Sequence, residues 1–205
     1  MAILPIDSGR YGTKEMLDIF SEQKKIDYQL EIEAAAALSQ SEIKIISKNV
    51  ANDIAKTANS GKITNKRIKQ LEAKSDHDTA ALVEALAEKC KKESRPWIHY
   101  GLTSNDLVDT SNSLQMRDAI KIIQPKISKL SLLLAKNALK YKNIPAVGRT
   151  HGQHASIISF GLKFANWASE ISTHLERLDE IKKRILICKT LGVVGTGSLM
   201  GKNAV

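Results

Sequence analysis

The sequence predicts an all-α protein. Three observations carry that expectation: apolar residues recur at steps of three and four almost throughout, strand-like alternation is nearly absent, and the periodicity breaks at glycine, proline and capping residues. The 205 residues suffice to bury a core, and 42% hydrophobic with 26% charged residues is the composition of a folded domain.

Thr13 is placed to cap a first helix whose inward stripe runs Met16, Ile19, Ile26, Leu30, Ala34 and Ala37. A second helix, from about Ser41, carries Ile46, Val50 and Ile54 on one face and stops before Gly61. Asn65 opens a short third helix, and a fourth begins near Asp78, with Leu82, Leu86 and Cys90 four apart, and ends before Pro96. In "RPWIHYGLTSNDLVDTSN" the breakers Pro96 and Gly101 interrupt the pattern, and Ser104 can cap a new helix. That helix is long, with Leu107, Ser111, Leu114, Ile120, Ile123, Ile127, Leu130 and Leu134 on its stripe and a kink expected at Pro125. After "KNIPAVGRTHGQHAS" a last helix runs to about Thr190, with Phe160, Phe164, Trp167, Ile171, His174, Leu178, Ile181 and Ile185 forming a bundle seam. The change from short to long helices sets the expected domains: 1–103 as an N-terminal helical domain, 104–205 as the first part of a long-helix bundle. Seams on more than one side need partners, so self-association is expected. The glycine-rich, apolar ending "LGVVGTGSLMGKNAV" reads as a chain cut short.

Composition narrows the function classes. No window approaches the apolar run of a membrane span, and the opening "MAILPIDSGR" lacks the features of a secretory signal, so a cytoplasmic location is expected. Cys90 and Cys188 lie far apart without metal-like spacing. The net charge of +9 suits a polyanionic partner. Nucleic acid is disfavoured, because Lys24, Lys25, Lys91, Lys92, Lys182 and Lys183 are interspersed with acids and aromatics make up only 4% of the chain. A small anionic substrate would profit from the same field.

Three junctions concentrate polar groups. In "SDHDTAAL", His77 lies between Asp76 and Asp78 at a helix start, where an anion would be favoured; equally, one of the acids could simply cap the helix and leave His77 exposed. In "HYGLTSND", Thr103, Ser104 and Asn105 offer donors at the start of a long helix, a place for a carboxylate or phosphate, although an ordinary N-cap explains one hydroxyl. The third, "VGRTHGQHAS", gathers Arg149, Thr150, His151, Gln153 and His154. Histidine is the side chain suited to proton transfer near neutral pH. An H-x-x-H pair could bind metal, but no third ligand stands at the usual spacing, and no glycine-flanked serine elbow is present. His99 and His174 read as structural.

Taken together, "RYGTKEM" (10–16), "HD" (77–78), "WIHYGLTSNDLVDT" (97–110), "GRTHGQHASIISFGLKFANW" (148–167) and "VGTGS" (194–198) resemble the fumarase/aspartase superfamily, and within it the adenylosuccinate lyases, in order and separation over essentially the whole chain. The lactonising relatives are similar at "TSND" but usually lack the pair kept here as Thr150-His151. The resemblance implies β-elimination of fumarate from adenylosuccinate, giving AMP, and from SAICAR, giving AICAR, without metal or organic cofactor. It implies that His151 is the general acid, that His77 supports it and helps bind substrate, that Asp78 binds substrate, and that Arg10 and Tyr11 hold the phosphate. Thr103 and Ser104 would bind the succinyl carboxylate region, Thr150 would also bind substrate, and Gln153, Gly195 and Thr196 would line the pocket. It further implies a homotetramer whose sites draw on three subunits, and a serine base on a signature loop that lies beyond this sequence. The chain is therefore expected to be an N-terminal portion, inactive alone. The alternative is a non-catalytic helical oligomerisation or regulatory module of the same fold.

Overall fold

A computed structural model describes residues 11–200. The all-α expectation holds: seven α-helices dominate the described residues, joined by one short two-stranded sheet. The chain divides into two compact units. One comprises the described residues up to Met116 together with those from Leu186 onward; the other is Arg117–Ile185.

In the first unit the expected first helix is two helices, α1 (Lys14–Ile19) and α2 (Glu22–Glu42). Ser21 makes the break, because its hydroxyl donates to Asp18 O at 2.8 Å and accepts the Lys24 N–H at 3.2 Å, closing one helix and capping the next. Ser41 does not start a helix; it lies within α2, donating to Leu38 O. The next helix, α3 (Lys48–Ala58), is capped instead by Ser47, after a turn with Lys44 at a φ of 63°. Helix α4 (Asn65–Ser75) and α5 (Asp78–Ala87) follow as expected, with Thr64 capping the former. A 3₁₀ turn over Arg95–Trp97 leads to α6 (Ser104–Lys140).

Leu30, Ala34, Ile54, Leu71, Leu82, Leu86 and Leu107 pack into a single core, joined by Leu102 and Met200. Glu22 ties α2 to α4, since hydrogen bonds from Lys69 and Asn65 hold its carboxyl below the usual carboxylate range. Cys90 lies in this core, and burial pushes its thiol up, whereas Cys188 is exposed. Iodoacetamide is therefore expected to label Cys188 in the folded protein and Cys90 only after unfolding. Equal labelling of both under native conditions would contradict this core.

The second unit holds the strands that the near-absence of strand-like alternation did not lead one to expect. Residues Pro145–Thr150 form β1 and Gln153–Ser159 form β2, an antiparallel hairpin. Its signal was weak because the strands are short and mostly exposed, so they carry no alternating apolar face. Helix α7 follows over Phe160–Ile185, stopping short of the expected Thr190. Tyr141, Phe160, Phe164 and Trp167 form an aromatic cluster with neighbouring ring centroids 5.4–5.7 Å apart. Farther along α6 and α7, the Lys182 ammonium donates to Gln124 and Asp179. Ile123 and Leu130 on the stripe of α6, and Trp167 and Ile181 on that of α7, stay exposed, so the apolar seams of both helices have uncovered members. Among the described residues no helix is long and apolar enough to cross a membrane.

Candidate active site

The hairpin presents the third motif. Thr150 pairs with Gln153, leaving His151 and Gly152 as a two-residue turn. Both have positive φ, 52° and 73°, as the right-handed twist of a tight hairpin requires. Glycine takes that conformation freely; histidine does so at a cost, which singles the position out. The His151 side chain is exposed and makes no hydrogen bond among the described residues, so both ring nitrogens are free to meet a substrate. Behind it, Ala155 is the extra residue of a bulge between the pairs Gly148–Ser156 and Arg149–His154. Arg149 Nη2 lies 3.2 Å from His154 Nε2, so His154 is engaged across the hairpin with the arginine. Thr150, His151 and Gln153 are thereby brought to one tip.

The second motif lies in the other unit. Helix α6 starts at Ser104, so the residue expected to cap it is instead its first helical residue, and the preceding Thr103 closes onto Asp106. The Thr103 N–H donates to Asp106 Oδ2 at 3.0 Å, and the Asp106 N–H to Thr103 O at 2.9 Å. That reciprocal closure leaves the Thr103 and Ser104 hydroxyls half-buried beside the positive end of a 37-residue helix. The same Asp106 Oδ2 accepts the Gly192 N–H at 2.9 Å. Gly192 begins a turn in which Gly195 N–H donates to Gly192 O, carrying Gly195 and Thr196. Thr103, Ser104, Gly195 and Thr196 are therefore brought to one region of the first unit, with Gly195 and Thr196 exposed.

The first motif decides between its two sequence readings in an unexpected way. Neither Asp76 nor a free Asp78 caps α5: the His77 ring does so, with Nδ1 accepting the Ala80 N–H at 3.2 Å. An accepting Nδ1 puts the proton of the neutral ring on Nε2, leaving that nitrogen as the donor. Asp78 instead accepts from the Thr79 N–H at 2.6 Å. Among the described residues no hydrogen bond joins His77 or Asp78 to Thr103 or Ser104. Tyr11 is exposed, and Arg10 lies outside the described residues.

Two acids escaped the sequence reading. Glu33, 2% exposed, takes both polar groups of His99: Oε2 accepts the backbone N–H at 2.9 Å, and Oε1 lies 2.6 Å from Nδ1. His99 has a φ of 62°, so two bonds to one carboxylate hold a strained residue in a fixed tautomer with Nε2 unprotonated when neutral. Gln40, two turns along α2, donates to Tyr100 O at 2.7 Å. Glu33 follows Leu30 by three on the predicted stripe, and Asp106 stands third after Thr103; a buried-face acid and a T-x-x-D box were both readable. Among the described residues no group of three or more His, Cys, Asp or Glu is placed to hold a metal.

Comparison with known proteins places the chain among lyases. The model of the family described as "Lyase" matches residues 9–204. The chain is 45% identical to adenylosuccinate lyase of Methanocaldococcus jannaschii over 202 residues, covering 98% of this chain and 44% of that protein. It is 34% identical to N-acetyl-S-(2-succino)cysteine lyase of Dickeya dadantii, covering 94% of this chain and 42% of that one. The crystal structure of fumarate lyase from Mesorhizobium sp. BNC1 superposes with a TM-score of 0.87 at 31% identity, over 95% of this chain and 47% of the other. The chain thus spans less than half the length of these relatives.

Proposed function

The chain belongs to the lyase family, and we propose that it forms the N-terminal part of an adenylosuccinate lyase, with residues 1–103 as the N-terminal helical domain and 104–205 as the first part of the bundle. The whole protein would release fumarate from adenylosuccinate and from SAICAR. The observation that carries this reading is the 45% identity to an adenylosuccinate lyase over 98% of the chain. His151, held with a free imidazole at the tip of a tight turn, supports it.

In the elimination a base takes a proton from the succinyl carbon beside a carboxylate. The electron pair becomes the carbon–carbon double bond, the carbon–nitrogen bond breaks, and the nitrogen accepts a proton from His151. Thr103 and Ser104, at the N-terminus of α6, would hold the carboxylate on which negative charge builds, with Gly195 and Thr196 in the same unit, while Thr150 and Gln153 would contact substrate beside His151 from a different subunit of the assembly. His77, donating from Nε2, and Asp78 would bind substrate in the assembled enzyme, and Arg10 and Tyr11 would take the phosphate. The base is a residue of the remaining chain. The exposed seams of α6 and α7 support a homo-oligomer, with the tetramer of the superfamily as the proposed assembly, acting in the cytoplasm.

An absorbance assay on both substrates tests the reading. The full-length protein is expected to release fumarate and residues 1–205 alone to release none. A full-length protein inactive on both, yet active on an S-succinyl thiol, would overturn the substrate assignment in favour of the other relative's chemistry.

A further inference from the structure

We propose that Asp106 is a positioning residue that locks two walls of the candidate pocket, the α6 start and the 192–197 turn, into one unit. The inference rests on the proposed function for what the walls bind, but not for the lock itself. Asp106 is fully buried, and a single oxygen, Oδ2, accepts backbone N–H groups from both walls: Thr103 at 3.0 Å and Gly192 at 2.9 Å. Its other oxygen, Oδ1, is buried without a hydrogen-bond partner among the described residues. A side chain needed only to cap α6 would not require burial of a carboxyl group so incompletely satisfied, which is costly.

The walls also touch directly. A Cβ added at Gly192 would meet the Gly101 backbone oxygen at 2.9 Å, so the two backbones approach as closely there as glycine allows. A neighbouring joint differs in one respect. Thr110 Oγ1 donates to Lys189 O at 3.1 Å and accepts the Lys189 N–H at 3.0 Å, and the Lys189 ammonium lies 3.1 Å from Asp109. Those bonds fasten the same segment to α6 without reaching Thr103. Asp106 alone of these residues bonds to both walls, so the spacing between the Thr103–Ser104 hydroxyls and the Gly195–Thr196 backbone is set by its carboxyl.

The test compares Asp106→Ala, Asp106→Asn and Thr110→Val in the full-length protein by amide hydrogen exchange and by steady-state kinetics with adenylosuccinate. Asp106→Ala is expected to speed exchange at least about tenfold in both peptides 100–106 and 188–197, because one lost acceptor releases two amides. Thr110→Val is expected to speed exchange only in the latter. In kinetics, Asp106→Ala should raise KM at least about tenfold, Asp106→Asn should recover most of that loss by restoring an acceptor oxygen, and Thr110→Val should leave KM unchanged. Exchange rising in one peptide alone, or equal KM in Asp106→Ala and the parent, would overturn the proposal. Should Asp106→Ala fail to fold, Asp106→Glu displaces the oxygens while keeping the charge. It is then expected to raise KM above that of Asp106→Asn, and parental KM in both would overturn the lock. A parent without turnover defeats the proposed function, while the exchange result still decides the lock.

Discussion

Replacing His151 with asparagine in the full-length protein is expected to lower turnover by about 10²–10⁴-fold while KM changes by far less. The choice of asparagine separates chemistry from folding. His151 has a φ of 52° beside Gly152 at 73°, and Asn-Gly is among the preferred pairs for such a turn, so the hairpin keeps or gains stability while the imidazole is lost. The ring is exposed and makes no hydrogen bond among the described residues, so no packing is removed with it. Proton donation to the departing nitrogen belongs to the transition state, and a defect confined to that step appears in kcat. His154→Asn provides the comparison. Its ring is engaged with Arg149 3.2 Å away, and its removal is expected to cost much less turnover. Near-parental turnover in His151→Asn would remove His151 from the acid role.

Gly161→Ala is expected to destabilise the protein by about 3 kcal/mol, the upper part of the range for overpacking a close contact. Gly161 is buried in the first turn of α7, where it crosses the end of α6. A Cβ there would meet Ala138 O at 2.4 Å and the Lys142 Cα and N at 2.9 Å. All three are backbone atoms, so no side chain can swing aside to make room. The Gly161 N–H donates to Tyr141 O at 3.0 Å, the Phe160 N–H to Ile144 O at 2.7 Å, and the Ser159 hydroxyl to Lys142 O at 2.6 Å. Together these bonds anchor both feet of the hairpin that carries His151, so separating the helices loosens the site as well as the fold. Gly152→Ala is the contrast, since nothing lies within 4 Å of its added Cβ and only the positive φ opposes the change. Its cost is expected to be about 1–2 kcal/mol. Thermal unfolding measures both; a Gly161→Ala midpoint no lower than that of Gly152→Ala would contradict the crossing.

What the sequence made legible follows from the length of each signal. The stripes of α2 and α3 were long enough to name core residues such as Leu30, Ala34 and Ile54 correctly. Element ends were harder, because they turn on single side chains: Ser21 splits a continuous stripe by making two hydrogen bonds, and Ser47 rather than Ser41 caps α3. The hairpin was missed because its strands are short and exposed, and the polar cluster at its tip drew attention as chemistry rather than as turn geometry. His77 shows the limit of composition arguments. Both neighbouring acids looked like the cap, yet the ring nitrogen takes the role, with Nδ1 accepting the Ala80 N–H at 3.2 Å. His99 was read as structural, and only the fold reveals that Glu33, 66 positions away, fixes its ring.

The proposed elimination is tested most directly by running it backwards. The full-length protein, incubated with AMP and fumarate in D₂O, should form adenylosuccinate carrying a single deuterium on its succinyl methylene, read by proton NMR, because the enzyme's base returns one solvent-derived proton to that carbon as nitrogen adds to the other. Formation of no adduct, or of an adduct without deuterium at that methylene, would contradict the chemistry proposed for the whole protein.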